Sequence, residues 1–471
     1  MQDYFLENRD LPRINLVTMI RLGLFQMGLG MMSVLLFGLL NRVLIKELGI
    51  PGTVASIVLA VTLFVAPFRI WFGQLSDTRP LFGLHRTTYV IGGAISFAVI
   101  AFAAVQPIWQ MGFSLKSGGW GAAAPWVGLS TLLFGLYGIA VSASSTPFAT
   151  LLVDVTDGCD RSKIVAVNWA MLLMGTISGG ITIGVLLKRL GNAPDPQVLQ
   201  ASINRLFLIV PWVVVSLSVI ATWGVEKKYS RFLSRTRAAV TSEEMGLSRA
   251  WRILTASRQT QIFFTFLLLM TLGLFLQDAI LEPYGGDIFN LPAGETALLN
   301  VPYGVGTVIG ILVSGFALTP RFGKRQTLKF GCSAVVFALL TILIAGFSAN
   351  PQTLRLCLGL FGLASGVTTT GAITLMLDLT AAATAGTFIG AWGLAQALAR
   401  GLSTIFGGAL LDIGTVVFKS TDGRSLFAYG LVFGVQALCM VNAIAFLSNV
   451  NVQEFQTTAK AAIAAVIETD S

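Results

Sequence analysis

One histidine and four cysteines in 471 residues leave little for metal or thiol chemistry. A lone imidazole, His85, cannot build a multi-histidine metal site. Cys159, Cys332, Cys357 and Cys439 are scattered with no CxxC pair, which excludes a zinc ribbon or a disulfide framework and leaves buried, inert thiols. Charge is scarce too. Asp, Glu, Lys and Arg make up 11% of the chain, against about 25% in a soluble domain, so a water-facing surface cannot be built. What is present is 55% hydrophobic residues, 50 glycines and 32 phenylalanines, with a mean hydropathy of +0.79. Such a chain belongs in a bilayer. Its net charge of +9 does not point to nucleic acid, because the bases flank apolar spans and gather in one central loop, as membrane topology requires. The opening MQDYFLENRDLPRINL is polar and acidic and is not read as a cleaved signal peptide.

Crossing a hydrocarbon core of about 30 Å takes roughly 20 apolar residues. Such runs occur at about 17–40, 52–72, 89–108, 126–153, 164–187 and 203–224, then at 261–281, 296–318, 328–347, 354–377, 387–411 and 426–447. The expectation is an all-α membrane protein with twelve transmembrane helices. A six-helix bundle spans 1–225, a basic central loop 226–260, a second bundle 261–450 and a tail 451–471. The central loop carries Lys227, Lys228, Arg231, Arg235, Arg237, Arg249, Arg252 and Arg258, which favours cytoplasmic termini. The halves also repeat. The fourth span ends ATLLVDVT at Asp154 and the tenth ends ITLMLDLT at Asp378. A longer Gly-rich outer loop at 109–125 absorbs the difference in length between the copies. Six-helix repeats in the same order are the signature of the major facilitator fold.

The segment after the second span holds Gly73, Asp77 and Arg86, and its echo in the second half holds Gly315, Arg321 and Arg325 without an Asp. It resembles the loop that latches the cytoplasmic face of the major facilitator superfamily. There a glycine lets helices approach while Asp and Arg make charge-assisted contacts. Further runs are Arg21-Leu-Gly-Leu-Phe25-Gln26, Leu40-Asn41-Arg42-Val43, Ala66-Pro67-Phe68-Arg69 and Leu276-Gln277-Asp278-Ala-Ile-Leu-Glu282-Pro283-Tyr284-Gly285-Gly286. Together they are similar to the bacteriochlorophyll and chlorophyll delivery family of PucC type. The resemblance implies a factor that brings a chlorophyll-type pigment to light-harvesting or reaction-centre subunits during assembly, in a cytoplasmic, intracytoplasmic photosynthetic or thylakoid membrane. Pigment is then cargo, and no metal, nucleotide or nucleic acid is expected as cofactor or partner.

Ionisable groups inside spans are costly and face a cavity or a partner. Arg21 and Arg69 lie near the same membrane face as Asp154 and Asp378, which suggests a ring of charge there. Asp278 and Glu282, at i and i+4, are expected to share one helix face near the outer end of span seven. Arg42 and Arg400 are their candidate partners, and Pro283 with Gly285 and Gly286 is expected to stop the helix just beyond. Magnesium in a bound pigment needs an oxygen or neutral imidazole ligand. Gln26, Asn168 and Glu282 are candidates, while His85 is read as a solvated loop residue. No GxSxG elbow, GxxxxGK[ST] loop or two-histidine metal spacing is present, so the chain is not expected to be an enzyme. The rival readings are a secondary transporter of a small solute by alternating access, proton-coupled through Asp278 or Glu282, and a scaffold that holds new subunits without pigment.

Overall fold

The computed structural model describes residues 14–65, 68–156, 161–187, 196–230, 258–379, 385–418 and 426–450, and every element among them is helical. Most of the central basic loop, the tail 451–471 and the side chains of Asp77 and Asp378 lie outside the described residues. Helix α1 (Leu16–Ser33) starts at Asn15, whose side chain accepts the Thr18 N–H at 2.8 Å. It runs on through two widened, π-helical stretches, Val34–Leu40 and Val43–Glu47. The second span is two pieces, α2 (Gly52–Phe64) and α3 (Phe68–Thr78), with Pro67 between them in the sequence.

Spans three and four are joined more tightly than the expected loop at 109–125. Helix α4 (Thr87–Asp154) is interrupted only at Gly119, where φ is 68° and ψ −163°, a conformation open to glycine. In a straight helix Val90 and Ser144 would be about 80 Å apart. Instead the Ser144 hydroxyl donates to the Val90 carbonyl at 2.9 Å, so the two limbs fold back on each other as a hairpin. The first half ends with α5 (Arg161–Leu187), α6 (Pro196–Thr222) and the short α7 (Val225–Tyr229).

The second half opens with α8 (Arg258–Phe275), a 3₁₀ turn (Leu276–Ala279), α9 (Leu281–Ile288) and α10 (Ala293–Ala297). Helix α11 (Asn300–Val313) continues through Ser314–Leu318 to Phe322. Helices α12 (Lys324–Ser348), α13 (Pro351–Leu379), α14 (Ala385–Val417) and α15 (Leu426–Asn449) complete it. Among the described residues ten helical stretches are long and apolar enough to cross a membrane. One of them is the α4 hairpin, and α2 adds a shorter apolar helix, consistent with twelve passes of an integral, multi-pass membrane protein.

Alternation of the spans puts the start of α1 and the ends of α6 and α15 on one face, here the terminal face, and the α4 turn on the far face. Within the halves α1 packs on α5 and α6, and α13 on α11 and α12. Between the halves α2 packs on α14, and α5 on α10 and α11. Cross-half contacts also join the widened part of α1 to α9, α10 and the 3₁₀ turn. The far-face seam between the halves is thus where the helices of both are broken or widened.

Candidate functional site

Two polar constellations occupy this frame. On the terminal face Arg86, 2% exposed, starts the first limb of α4 and places Nε 3.0 Å from the Asp154 carboxylate at the end of the second limb. Its Nη1 donates to the Ser76 hydroxyl at 2.6 Å. The backbone N–H groups of His85, Arg86 and Thr87 all point at the carboxylate of Glu226, at 2.6 to 3.2 Å. Glu226, the first residue of the expected central loop, is therefore the N-terminal cap of α4, holding donors that the helix cannot satisfy itself. His85 is half-buried rather than solvated, its Nδ1 3.3 Å from the Ser76 carbonyl.

Among the described residues, members of the expected ring of charge act as separate helix-end staples, and the Asp378 side chain lies outside them. Arg21 donates to the carbonyls of Ile220, at 2.6 Å, and Trp223 at the end of α6. Asp154 takes Arg86 rather than Arg21 or Arg69, and Arg69 is exposed on α3. Arg325 is the second-half counterpart of Arg21, donating to the carbonyls of Leu447 and Ser448 at 3.1 and 2.6 Å. The last carbonyls of a helix attract cations, which explains both. The contacts described for Arg86 and Arg325 lie within their own halves, and the Asp77 side chain of the expected latch lies outside the described residues. Arg321 is exposed, and Gly315 has no neighbour within 4 Å of where a Cβ would stand. A Cβ on Gly73 would meet only Thr146, at 3.6 Å. Among the described residues, neither glycine marks a close helix approach.

The second constellation is the far-face seam. Helix α8 ends at Phe275, and the 3₁₀ turn swings Asp278 to within 3.4 Å of Arg400 on α14. Arg400 also lies over the Phe275 ring, 4.5 Å from its centroid, a cation–π contact. Gln277 braces the turn by donating to the Leu274 carbonyl at 2.8 Å and to Asp278 at 3.2 Å, and Gln436 of α15 binds Gln277 in turn. Asp278 and Glu282 do not share a regular helix face, because the chain changes from 3₁₀ to α between them. Nor do Pro283, Gly285 and Gly286 stop a helix. They lie inside α9, where a proline in the first turn needs no donor; the break comes before them.

Across the seam Asn41 donates to the Ala279 carbonyl at 2.6 Å, and the Glu282 carboxylate presses on Gly38. A Cβ on Gly38 would stand 2.1 Å from Glu282 Oε1. Arg42 is buried beside Glu282 but pairs elsewhere, with Glu47 at 3.5 Å and the Thr296 hydroxyl at 3.0 Å. Glu282 instead accepts from Asn300 Nδ2 at 3.0 Å. Lys46 meets Asp287 at 3.2 Å, and Tyr429 donates to the other oxygen of Asp287 at 2.7 Å. Asp412 of α14 accepts the backbone N–H groups of Gly52 and Thr53, both at 2.7 Å, capping α2 from the opposite half. Of the expected pigment ligands, Gln26 is half-buried on α1. Asn168 is 4% exposed, its Nδ2 committed to the Ile164 carbonyl and its Oδ1 without a partner. Helices broken inside a membrane protein, with polar groups gathered at the break, are the usual setting of a transporter's binding region.

Comparison with known proteins agrees with this architecture. A D-xylose–proton symporter superposes with a TM-score of 0.63 at 15% identity, covering 94% of this chain and 98% of that one, so the fold is that of the major facilitator transporters. The protein PucC of Rhodobacter capsulatus is 31% identical over 444 residues, 92% of each chain. A protein of the same organism named bacteriochlorophyll synthase 44.5 kDa chain is 31% identical over 431 residues, 90% of this chain and 92% of its own. The family model described as PUCC protein matches residues 39–455, which reach into both halves, and the chain belongs to that family.

Proposed function

We propose that this protein carries a bacteriochlorophyll-type pigment within a photosynthetic membrane and hands it to light-harvesting or reaction-centre subunits as they assemble. Its likeness along both halves to relatives named PucC and bacteriochlorophyll synthase chain carries the reading. A major facilitator fold with a closed far-face seam suits a carrier rather than a catalyst. Glu282 is a poor axial ligand for the pigment's magnesium, because its carboxylate is packed against Gly38 and leaves no room for a macrocycle. Gln26 and Asn168 suit the role better. They belong to the pair α1 and α5, which pack together where Gly23 faces Val167 and Met171, and an amide oxygen is a fitting magnesium ligand.

Purification in mild detergent from a phototrophic host tests this. Pigment absorbance is expected to migrate with the protein, together with light-harvesting or reaction-centre subunits, and Asn168→Ala or Gln26→Leu should lower the pigment bound per chain. Subunits without pigment would make the protein a scaffold instead. One observation favours a transporter: the half-exposed Arg400–Asp278 pair at a helix break between halves. Saturable solute uptake into vesicles would carry that reading.

The basic central segment supports a cytoplasmic terminal face. In a background lacking the native cysteines, Ser117→Cys at the α4 turn should react with an impermeant thiol reagent in intact cells, and Arg321→Cys should be protected. The reverse pattern would invert the orientation.

A further inference from the structure

Among the described charged groups facing α9 across the far-face seam, four acids each have a cation and Glu282 has none, while Asp412, farther along α14, is held by the N–H groups of Gly52 and Thr53. Arg42 pairs with Glu47, Lys46 with Asp287, Arg355 with Glu295 and Arg400 with Asp278. These are the charged side chains facing α9 from the widened part of α1, the 3₁₀ turn, α10 and their partners. Glu282 makes no ion pair among the described residues. It is 3% exposed, Oε1 has a single donor from Asn300, and Oε2 has none. Its neighbours are the backbone of Gly38, Asn300 and the buried Arg42, whose guanidinium is engaged by Glu47 and Thr296 and keeps Nε without a described partner. An ionised carboxylate sealed in such a place is expensive unless paired and hydrogen-bonded. A neutral acid is not: its O–H is a donor, and Asn41, three residues along α1 from Gly38, keeps a bare acceptor in Oδ1. The seam thus holds two buried acceptor oxygens with no described donor, and a proton on Glu282 would turn one of them into a donor.

We propose that Glu282 is a proton-binding site that locks the far face: the halves close over the neutral acid, and its ionisation parts them. The coupled ion is then the proton, carried by Glu282 and not by Asp278, which has its own cation. The proposal depends on neither cargo, pigment or solute. Its sign is fixed, since raising the pH adds a negative charge to a sealed seam and so favours the open far face.

Two measurements on the full-length protein test it. Infrared difference spectra at neutral pH should contain the carbonyl stretch of a protonated carboxyl, lost in Glu282→Gln. That variant keeps the side-chain shape and the acceptor for Asn300, so folding is preserved and can be checked by thermal unfolding. Spin labels on Ser117→Cys and Gln352→Cys, exposed far-face positions in opposite halves, report the opening. In a cysteine-free background their separation should lengthen as the pH rises, and in Glu282→Gln stay short at every pH. A protonated-carboxyl band missing from the wild type or unchanged in Glu282→Gln would overturn the site. A separation that ignores pH in the wild type, or follows it equally in Glu282→Gln, would overturn the lock.

Discussion

Asparagine in place of Asp154 is expected to destabilise the protein by about 3–5 kcal/mol, the usual cost of removing one member of a buried ion pair. Arg86 is 2% exposed and the Asp154 side chain 6%, and their contact at 3.0 Å ties the two ends of the α4 hairpin together. Without that carboxylate the guanidinium keeps its bond to the Ser76 hydroxyl but loses the ion pair at the end of the hairpin. Arg86→Gln should cost a similar amount by taking the cation out of the same pair. The double variant Arg86→Gln with Asp154→Asn removes both charges, so its loss should fall short of the sum of the single losses by about 1–3 kcal/mol. Thermal unfolding in detergent, with accumulation in the membrane as a second reading, measures all three. Additive losses would mean that the two groups act independently, as arginines that merely reach for the membrane surface do.

The spans were legible in the sequence because a bilayer imposes a length on every apolar run, and their order followed from the repeat of Asp154 at Asp378. Partners were not legible, because they depend on local backbone that hydropathy does not encode. Arg42 and Glu47 are five apart, a spacing that does not align side chains on an α-helix but does on a π-helical turn, where hydrogen bonds run from i to i+5. The Leu48 N–H to Val43 carbonyl bond, 3.0 Å, is one of these. Widening α1 therefore gave Arg42 a partner on its own helix and left Glu282 without one. Pro283 was misread for a related reason: a proline that would end a helix equally well begins one. Asp412 was missed, although a signal existed. Helix α2 starts at Pro51-Gly52-Thr53 with no side-chain cap of its own, so its first N–H groups had to be satisfied from elsewhere in the fold. Glu226 answers the same need at Arg86, whose side chain makes no cap.

Helix α11 meets α13 so closely that one methyl group should separate two neighbouring glycines in effect. A Cβ on Gly362 would stand 2.1 Å from the Tyr303 carbonyl oxygen and 3.0 Å from the Thr307 nitrogen, both backbone atoms that no rotamer change can move. On Gly359, one turn earlier, the nearest atom would be the Pro302 carbonyl oxygen at 3.7 Å, an ordinary contact. Gly359→Ala should thus be neutral or stabilising by up to about 1 kcal/mol, the helix-propensity gain of alanine over glycine. Gly362→Ala must push α11 away from α13, at a cost of about 3 kcal/mol or more. Lipid tails are as apolar as the helix surfaces, so no hydrophobic gain offsets packing lost at the crossing. The damage should also travel. Tyr303 stacks on Phe361 with ring centroids 5.7 Å apart, and Asn300, one turn before Tyr303, supplies the only hydrogen bond described for Glu282. A protein that survives Gly362→Ala in milder detergent should therefore show a disturbed Glu282 carboxyl band as well as a lower unfolding temperature, while Gly359→Ala leaves both in place. Equal behaviour of the two variants would mean that the helices do not meet at the Gly362 carbonyl contact.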